Sequence, residues 1–314
     1  MPPTTTYPTR PTPPRIALAP QGAPEWMVGA IVAGGGHVVD LEKAEGLIWA
    51  SPRDPAGLAL ALQGAPDLQW IQLPFAGVES YLHLVDDERL WTCGKGVYAE
   101  PVAELALALA LAGLRGVAAY ARTERWEGPR GRNLLGGRVT ILGGGGITES
   151  LLRLLQPFDC HVTVVRNRVQ PMEWADEVLE ADRYTDALPG ADAVFLALAL
   201  TPETEGIISA GELSLMEQHA WLINVARGPH VVTDDLVVAL RRGTIGGAGL
   251  DVTDPEPLPA GHALWALPNC IITPHVGNTP EMAAPLLAER ITANVRRFGD
   301  GEDLLGPVLP ELGY

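Results

Sequence analysis

Two stretches of the chain alternate short apolar runs with longer segments whose apolar residues recur at helical spacing. That alternation is the pattern of parallel α/β sheets. In the first stretch, strands are expected at Arg15–Ala19, Gly46–Ala50, Leu68–Leu73 and Leu90–Cys93, with Pro, Gly and Asp between them. The second begins near Gly137. Its strands are expected at Arg138–Leu142, His161–Val165, Ala193–Ala197, Ala220–Val225, Gly246–Leu250 and Cys270–Thr273. Helical patterns fall between them, such as Thr233–Arg242, with Thr233 as N-cap and Gly243 as stop. Val102–Ala119 reads as a long helix joining the two stretches. Pro280–Phe298 reads as a final helix that returns to the first. The expectation is an α/β protein in which a domain of residues 15–100 and 281–314 is interrupted by another of residues 101–280.

Composition narrows the function classes. The chain has 314 residues, of which 47% are apolar and 19% charged, enough for sizeable cores. Its formal net charge of −16 disfavours nucleic acid and anionic membrane surfaces as partners. Val102–Ala119 holds Glu104 and Arg115 and is mostly Ala and Leu, so it suits a buried or interface helix better than a membrane span. The Pro/Thr-rich segment Met1–Pro14 lacks the basic and apolar regions of a signal peptide and is expected to be a disordered leader. Cys93, Cys160 and Cys270 have no disulfide or metal-ligand spacing, and the seven histidines form no ligand cluster. A reducing cytoplasmic location and no metal are expected.

The run Arg138-Val-Thr-Ile-Leu-Gly143-Gly144-Gly145-Gly146-Ile147-Thr148 leads from a strand through glycines into a helix. In a dinucleotide fingerprint one Gly makes the tight turn and a second lets a pyrophosphate approach the backbone. A third lets helix and strand pack closely. Gly143 and Gly145 fill the first two roles, but the third position is Thr148, which predicts a helix standing slightly off the sheet. The plain alternative is a flexible turn. An NAD site places a carboxylate at the end of the next strand; here that strand ends in Arg166-Asn167-Arg168. Two guanidiniums suit the 2′-phosphate of NADP, with NAD the lesser expectation.

Three further strands end in polar residues. Arg227 follows Ala220–Val225, Glu256 stands in a Pro-bounded loop after Gly246–Leu250, and His275 follows Cys270–Thr273. Ligands of open α/β sheets lie outside the carboxyl ends of the strands. Hydride addition to a carbonyl leaves an alkoxide that needs a proton donor, which His275 can be. A carboxylate on the other ring nitrogen, Glu256, would orient the imidazole, and Arg227 can grip a carboxylate and polarise a neighbouring carbonyl. Each residue alone has an ordinary structural reading; three at successive strand ends point to catalysis.

With these motifs in place, the sequence resembles the D-isomer-specific 2-hydroxyacid dehydrogenases. The resemblance rests on Val102-Ala-Glu104, Leu142–Ile147, Leu200-Thr201-Pro202-Glu-Thr204-Glu-Gly206, Asn224-Val225-Ala226-Arg227-Gly228, Leu250-Asp251-Val, Glu256-Pro257 and Pro274-His275-Val-Gly277. It implies two Rossmann-like or flavodoxin-like domains, with an NAD(P)-binding domain inserted in a discontinuous substrate domain, and a hinged cleft. It implies that Arg227 binds substrate, that His275 is the acid/base and that Glu256 is its partner. The cofactor would meet Gly143, Gly145, Gly146, Ile147, Arg166, Asn167, Arg168, Thr201, Pro202, Val225, Ala226, Asp251 and Gly277. The loop Phe75-Ala76-Gly77-Val78 is similar to the family segment whose backbone amides bind the substrate carboxylate. A homodimer through the nucleotide-binding domain is the family habit. Thr148 and Ala199, which replaces a frequent Pro, depart from the pattern.

The resemblance points to reduction of a small 2-oxo acid, such as glyoxylate or hydroxypyruvate, to the D-2-hydroxy acid. Arg53, after a strand of the first domain, could instead meet a distal phosphate or carboxylate, which keeps a phosphoglycerate dehydrogenase-like activity open. So does a non-catalytic NAD(P)-binding sensor or corepressor on the same scaffold remain open, since fold does not fix function.

Overall fold

Formation of the interior strands follows burial on both faces: their runs are mostly apolar, as parallel sheets covered by helices require. The structure, a computed structural model, describes residues 13–310. The expected leader lies almost entirely outside the described residues. Contacts divide the described chain into two units, one ending at Tyr98 and resuming at Thr279, the other spanning Ala99–Asn278.

The first unit contains β1 (Arg15–Ala19), α1 (Glu25–Ala33), β2 (His37–Val38), β3 (Gly46–Trp49), α2 (Pro55–Gly64), β4 (Trp70–Gln72) and β5 (Leu90–Thr92). Its five parallel strands lie in the order β2-β1-β3-β4-β5, the flavodoxin-like arrangement. Period-two alternation sends Ala17, Leu47, Trp49 and Ile71 to one face and Ile16, Ile48 and Trp70 to the other.

The second unit holds α3 (Ala99–Leu114), α4 (Val117–Ala121), β6 (Arg138–Leu142), α5 (Gly146–Leu155), β7 (His161–Arg166), β8 (Glu177–Glu180), β9 (Ala193–Leu196), α6 (Ala210–Leu215), β10 (Trp221–Asn224), α7 (Thr233–Arg242), β11 (Gly247–Leu250) and β12 (Cys270–Ile272). Seven parallel strands run β12-β11-β10-β9-β6-β7-β8. Read from β8, this is the doubly wound Rossmann order with one strand added. The two faces carry separate cores: Ile141, Val164, Phe195 and Ile223 pack with α3 and α5, while Leu142, Val165, Leu196 and Leu222 pack with α7 residues such as Leu236.

The last helix, α8 (Pro280–Asp300), belongs to the first unit. Leu287, Ile291, Val295 and Phe298 recur at helical spacing and pack on Ile16, Met27, Ile31 and Trp70. Trp70 and Phe298 rings meet at 5.2 Å. Buried Asn294 donates to Gln72 Oε1 at 2.7 Å and bonds Leu305 through both amide atoms, tying helix and tail to β4.

Some expectations need correction. Val102–Ala119 is not one helix: it starts at Ala99, and Gly116, at φ +66°, ends α3 and opens α4. The strands β2 and β8, both at sheet edges, were not expected. Thr233 is the first residue of α7, not its cap; Val232 takes the cap position without a side-chain bond, and Thr233 Oγ1 donates to the Asp254 carbonyl at 2.7 Å. Gly243 does end that helix, at φ +67°. Among the described residues no helix is long and apolar enough to cross a membrane, and no three His, Cys, Asp or Glu side chains cluster as metal ligands would.

Candidate functional site

β6 and β9 are neighbours from opposite halves of the Rossmann order, so the crevice at their carboxyl ends is the switch point of the second sheet. The glycine turn sits there. Gly143 adopts φ +110°, and a Cβ on it would lie 2.2 Å from the Ala197 carbonyl oxygen, so only glycine fits. The N–H groups of Gly144, Gly145 and Gly146 find no acceptor among the described residues, and α5 begins with Gly145 as its cap and no side-chain capping bond. Free amides at a helix N-terminus suit a pyrophosphate, so the turn fits a dinucleotide.

Thr148 does not sit uneasily behind the turn. It is fully buried, and its Oγ1 donates to the Gly143 carbonyl at 2.9 Å, so its polar atom is satisfied within the turn it follows. Ile147 is half-buried beside it.

Arg166 is the last residue of β7, one beyond the expected end. Its side chain lies across Gly144, where a Cβ would come within 2.7 Å of Arg166 Nε. This contact explains a glycine that the fingerprint alone does not use. Asn167 and Arg168 follow, exposed. Neither arginine forms an ion pair with a described residue. Thr201 and Pro202 lie in the loop after β9, where Thr204 Oγ1 accepts from Thr201 N at 2.8 Å and donates to the Ala199 carbonyl at 2.8 Å.

Three adjacent strands supply the polar group. After β10, Val225 and Ala226 are buried, and the Asn224 side chain brackets the turn: Oδ1 accepts from Ala226 N, and Nδ2 donates to the Arg227 carbonyl at 2.8 Å. Arg227 Nη1 donates to the Ala226 carbonyl at 2.7 Å. After β11 comes Asp251, 4% exposed, whose carboxylate accepts from Thr273 Oγ1, Val276 N and Gly277 N. After β12, His275 stands at φ +54°. That left-handed conformation costs a non-glycine residue about 1–3 kcal/mol. It is held by His275 N donating to the Asp251 and Thr273 carbonyls at 2.8 and 3.0 Å, with Asp251 clamping the turn. His275 Nδ1 lies 2.8 Å from Glu256 Oε1; both side chains are partly exposed. The loop that carries Glu256 contains two cis peptide bonds, Asp254–Pro255 and Glu256–Pro257. The strand ends therefore bring His275 and Glu256 into contact, with Arg227 on the neighbouring strand and Asp251 as organiser of the His275 turn.

In the first unit, Phe75, Ala76 and Gly77 form the loop after β4. No described residue accepts from the N–H groups of Ala76, Gly77 or Val78. The loop is anchored at its ends: Gly94 N donates to the Phe75 carbonyl at 2.8 Å, and the Tyr98 hydroxyl donates to the Pro74 carbonyl. Burial pushes the Tyr98 hydroxyl up to about 12. Arg53 is exposed in the loop after β3. That loop is fixed by fully buried Tyr81, whose hydroxyl donates to the Ser51 carbonyl at 2.9 Å and accepts from Asp54 N at 3.0 Å. The Tyr81 ring also packs on Phe75 at 5.5 Å. Asn224 and Gly144 stand within the quoted motifs, but their contacts, like those of Tyr81, are seen only in the fold, because nothing in their spacing distinguishes them from core and turn residues.

The family profile described as "D-isomer specific 2-hydroxyacid dehydrogenase, NAD binding domain" matches residues 105–277, more than half of the chain. The chain belongs to the D-isomer specific 2-hydroxyacid dehydrogenase family. The enzyme is thus an NAD(P)-binding oxidoreductase of CH–OH donors, and Ala99–Asn278 contains its NAD-binding domain. An uncharacterised Corynebacterium melassecola protein is 37% identical over 91% of this chain and 95% of its own length. A Photorhabdus laumondii protein named glyoxylate/hydroxypyruvate reductase A is 30% identical over 85% of this chain and 87% of its own. Among solved structures, a D-isomer specific 2-hydroxyacid dehydrogenase of Xanthobacter autotrophicus, in complex with NADPH and MES, superposes with a TM-score of 0.83 at 26% identity. The match covers 96% of this chain and all of that one.

Proposed function

We propose that the enzyme reduces a small 2-oxo acid of the glyoxylate or hydroxypyruvate kind to the D-2-hydroxy acid, using NADPH. The observation that carries the reading is the 2.8 Å contact between His275 Nδ1 and Glu256 Oε1, at strand ends next to that of Arg227. With Nδ1 engaged by the carboxylate, Nε2 is the nitrogen that presents a proton to the substrate oxygen, and Glu256 stabilises the charged ring. Arg227 holds the substrate carboxylate and polarises the adjacent carbonyl. The amides of Ala76, Gly77 and Val78 are assigned to a substrate carboxylate, and Arg53 to a distal group where the substrate has one. NADPH, when bound, supplies the hydride for the 2-oxo carbon. Gly143, Gly145, Gly146 and Ile147 would hold its pyrophosphate, and Arg166, Asn167 and Arg168 its 2′-phosphate. Thr201, Pro202, Val225, Ala226, Asp251 and Gly277 would line the nicotinamide half.

The Photorhabdus relative's name supports the substrate class, and the NADPH of the Xanthobacter structure supports the cofactor. A homodimer built on the nucleotide-binding domain is part of the reading. It is supported by the exposed stretch of residues 124–133, where Trp126 is entirely solvent-exposed. A cytoplasmic location is its complement.

The test is absorbance at the reduced-nicotinamide band with NADPH and then NADH. The panel would contain glyoxylate, hydroxypyruvate, phosphohydroxypyruvate, pyruvate and bulkier 2-oxo acids. Fastest NADPH oxidation with glyoxylate or hydroxypyruvate is expected. A panel led by phosphohydroxypyruvate would put a phosphate on Arg53 instead. Tight NADPH binding without turnover on any member would return the sensor reading.

A further inference from the structure

Three residues past Arg227, His230 is fully buried, with none of its surface in contact with solvent. Its Nδ1 lies 2.9 Å from the Arg227 carbonyl, and its Nε2 lies 3.2 Å from the Ala199 carbonyl. Both partners are acceptors and a neutral ring carries a single N–H, so both contacts are hydrogen bonds in the doubly protonated ring. The two carbonyls belong to different loops. One carries Arg227 at the end of β10; the other opens the segment with Thr201 and Pro202 after β9. A second pair of bonds reinforces the bridge: Ile208 N donates to the His230 carbonyl at 3.0 Å, and Gly206 N donates to the Pro229 carbonyl at 2.8 Å. The far end of the Thr201 segment is therefore tied to the same three-residue turn.

A buried polar ring is costly unless bonded, and a core position here could be filled by an apolar side chain without that cost. The ring instead spans the Ala199 and Arg227 ends of two segments whose far ends are joined by the isolated parallel bridge of Ile208 and Val231. We propose that His230 is a positioning residue for reduction: a strut that fixes the Arg227 backbone against the Thr201 loop, and so fixes the substrate-gripping guanidinium relative to the nicotinamide half of the cofactor site. This rests on the assignment of Arg227 to the substrate and of the Thr201 loop to the cofactor. His230 touches neither ligand in this account; it acts through Arg227 and Ala199.

The strut is tested by three variants, each checked by thermal melting and each assayed for kcat and KM with NADPH and the best 2-oxo acid. His230→Phe keeps a buried ring and removes both contacts. His230→Asn places an amide nitrogen near the position of Nδ1, and His230→Gln places one near that of Nε2. For folded protein, His230→Phe is expected to lower kcat/KM for the 2-oxo acid by roughly tenfold to a hundredfold, the penalty of a misplaced binding group. Its NADPH dissociation constant is expected to change less than about threefold, because the glycine turn and arginines lie outside the strut. Asn and Gln are each expected to recover part of the loss, since each restores one side. Folded His230→Phe with wild-type kcat and KM would overturn the strut, because a merely space-filling ring would give that result. Partial recovery by neither amide would overturn it as well. If all three unfold, the ring nitrogens of the wild-type protein are read by 15N NMR; a ring that lacks a proton on either nitrogen overturns the two-sided strut. An Arg227→Ala variant with unchanged substrate KM would instead bring down the Arg227 assignment beneath it, a result separable from any behaviour of His230.

Discussion

Glu256 Oε1 lies 2.8 Å from His275 Nδ1, and among the described residues His275 Nε2 has no hydrogen-bond partner. One ring nitrogen is thus oriented and the other is open, on a backbone held in the left-handed region by Asp251. An imidazole fixed at one edge loses little freedom when it meets a reacting oxygen, which is the use of such a pair.

The first prediction concerns that pair. His275→Gln is expected to lower kcat by about 10²–10⁴, the usual worth of a positioned proton donor, and to leave the NADPH dissociation constant near its wild-type value. Glu256→Gln keeps the shape but not the charge, and should lower kcat by less. Stopped-flow reduction together with NADPH fluorescence titration checks both. Equal turnover in His275→Gln removes it as the donor.

The second concerns cofactor choice. The Arg166 side chain passes across Gly144, with Nε 2.7 Å from where a Cβ would stand, and so lies beside the glycine turn. Arg166→Asp should reduce the ratio of kcat/KM for NADPH over NADH by about tenfold or more, the loss of at least one charge-assisted bond of roughly 1.5–3 kcal/mol. An unaltered ratio would place the 2′-phosphate elsewhere.

Much of this architecture is legible in the sequence for a plain reason. β1 and β6 begin and end where the apolar runs do, and the remaining expected strands differ only by a residue or two at their ends, because buried parallel strands have no polar face to blur the pattern. β8, Glu177–Glu180, was missed because an edge strand with a Glu at each end has only Val178 and Leu179 to announce it. The break at Gly116 is hard to read because apolar residues, alanine above all, continue on both sides of it. Of the site, the glycine turn and the His275–Glu256 pair could be read from motifs. The contacts of Tyr81 and of the Asn224 side chain, and the Gly144–Arg166 contact, could not, since each depends on a neighbour brought close only by folding.

The third prediction turns on the departure at Thr148. Thr148→Val keeps volume and removes the hydroxyl that bonds the Gly143 carbonyl. The loss of one buried hydrogen bond is worth about 1 kcal/mol, read as a lower urea midpoint at unchanged m-value. Because the bond holds the Gly143 turn, to which the proposal assigns the cofactor pyrophosphate, NADPH affinity should weaken in the same variant. Stability lost with affinity untouched would show that the turn holds its shape without the bond.

The fourth is a pH dependence. All three cysteines are free, and burial drives their thiols upward: Cys160 to about 11 and Cys270 to about 12, with Cys93 raised as well, from an ordinary value of 9.0. Desolvation is the main cause in each, since a thiolate is poorly served by an apolar surrounding. The unfolded chain ionises these thiols near pH 9, before the folded chain does. Their contribution to stability is therefore complete below about pH 9 and is lost as pH rises through 11 and 12. Tyr98, raised from 10.0 to about 12, acts in the same direction. Urea midpoints should thus fall steeply above about pH 9. Cys270→Ala should start lower, for the small cavity it leaves, and fall less steeply over the same range. A thiol reagent at pH 8 should modify Cys270 slowly in the folded protein and rapidly in urea; fast labelling of the folded chain would mean that β12 opens readily and that the His275 turn beyond it is looser than its hydrogen bonds imply.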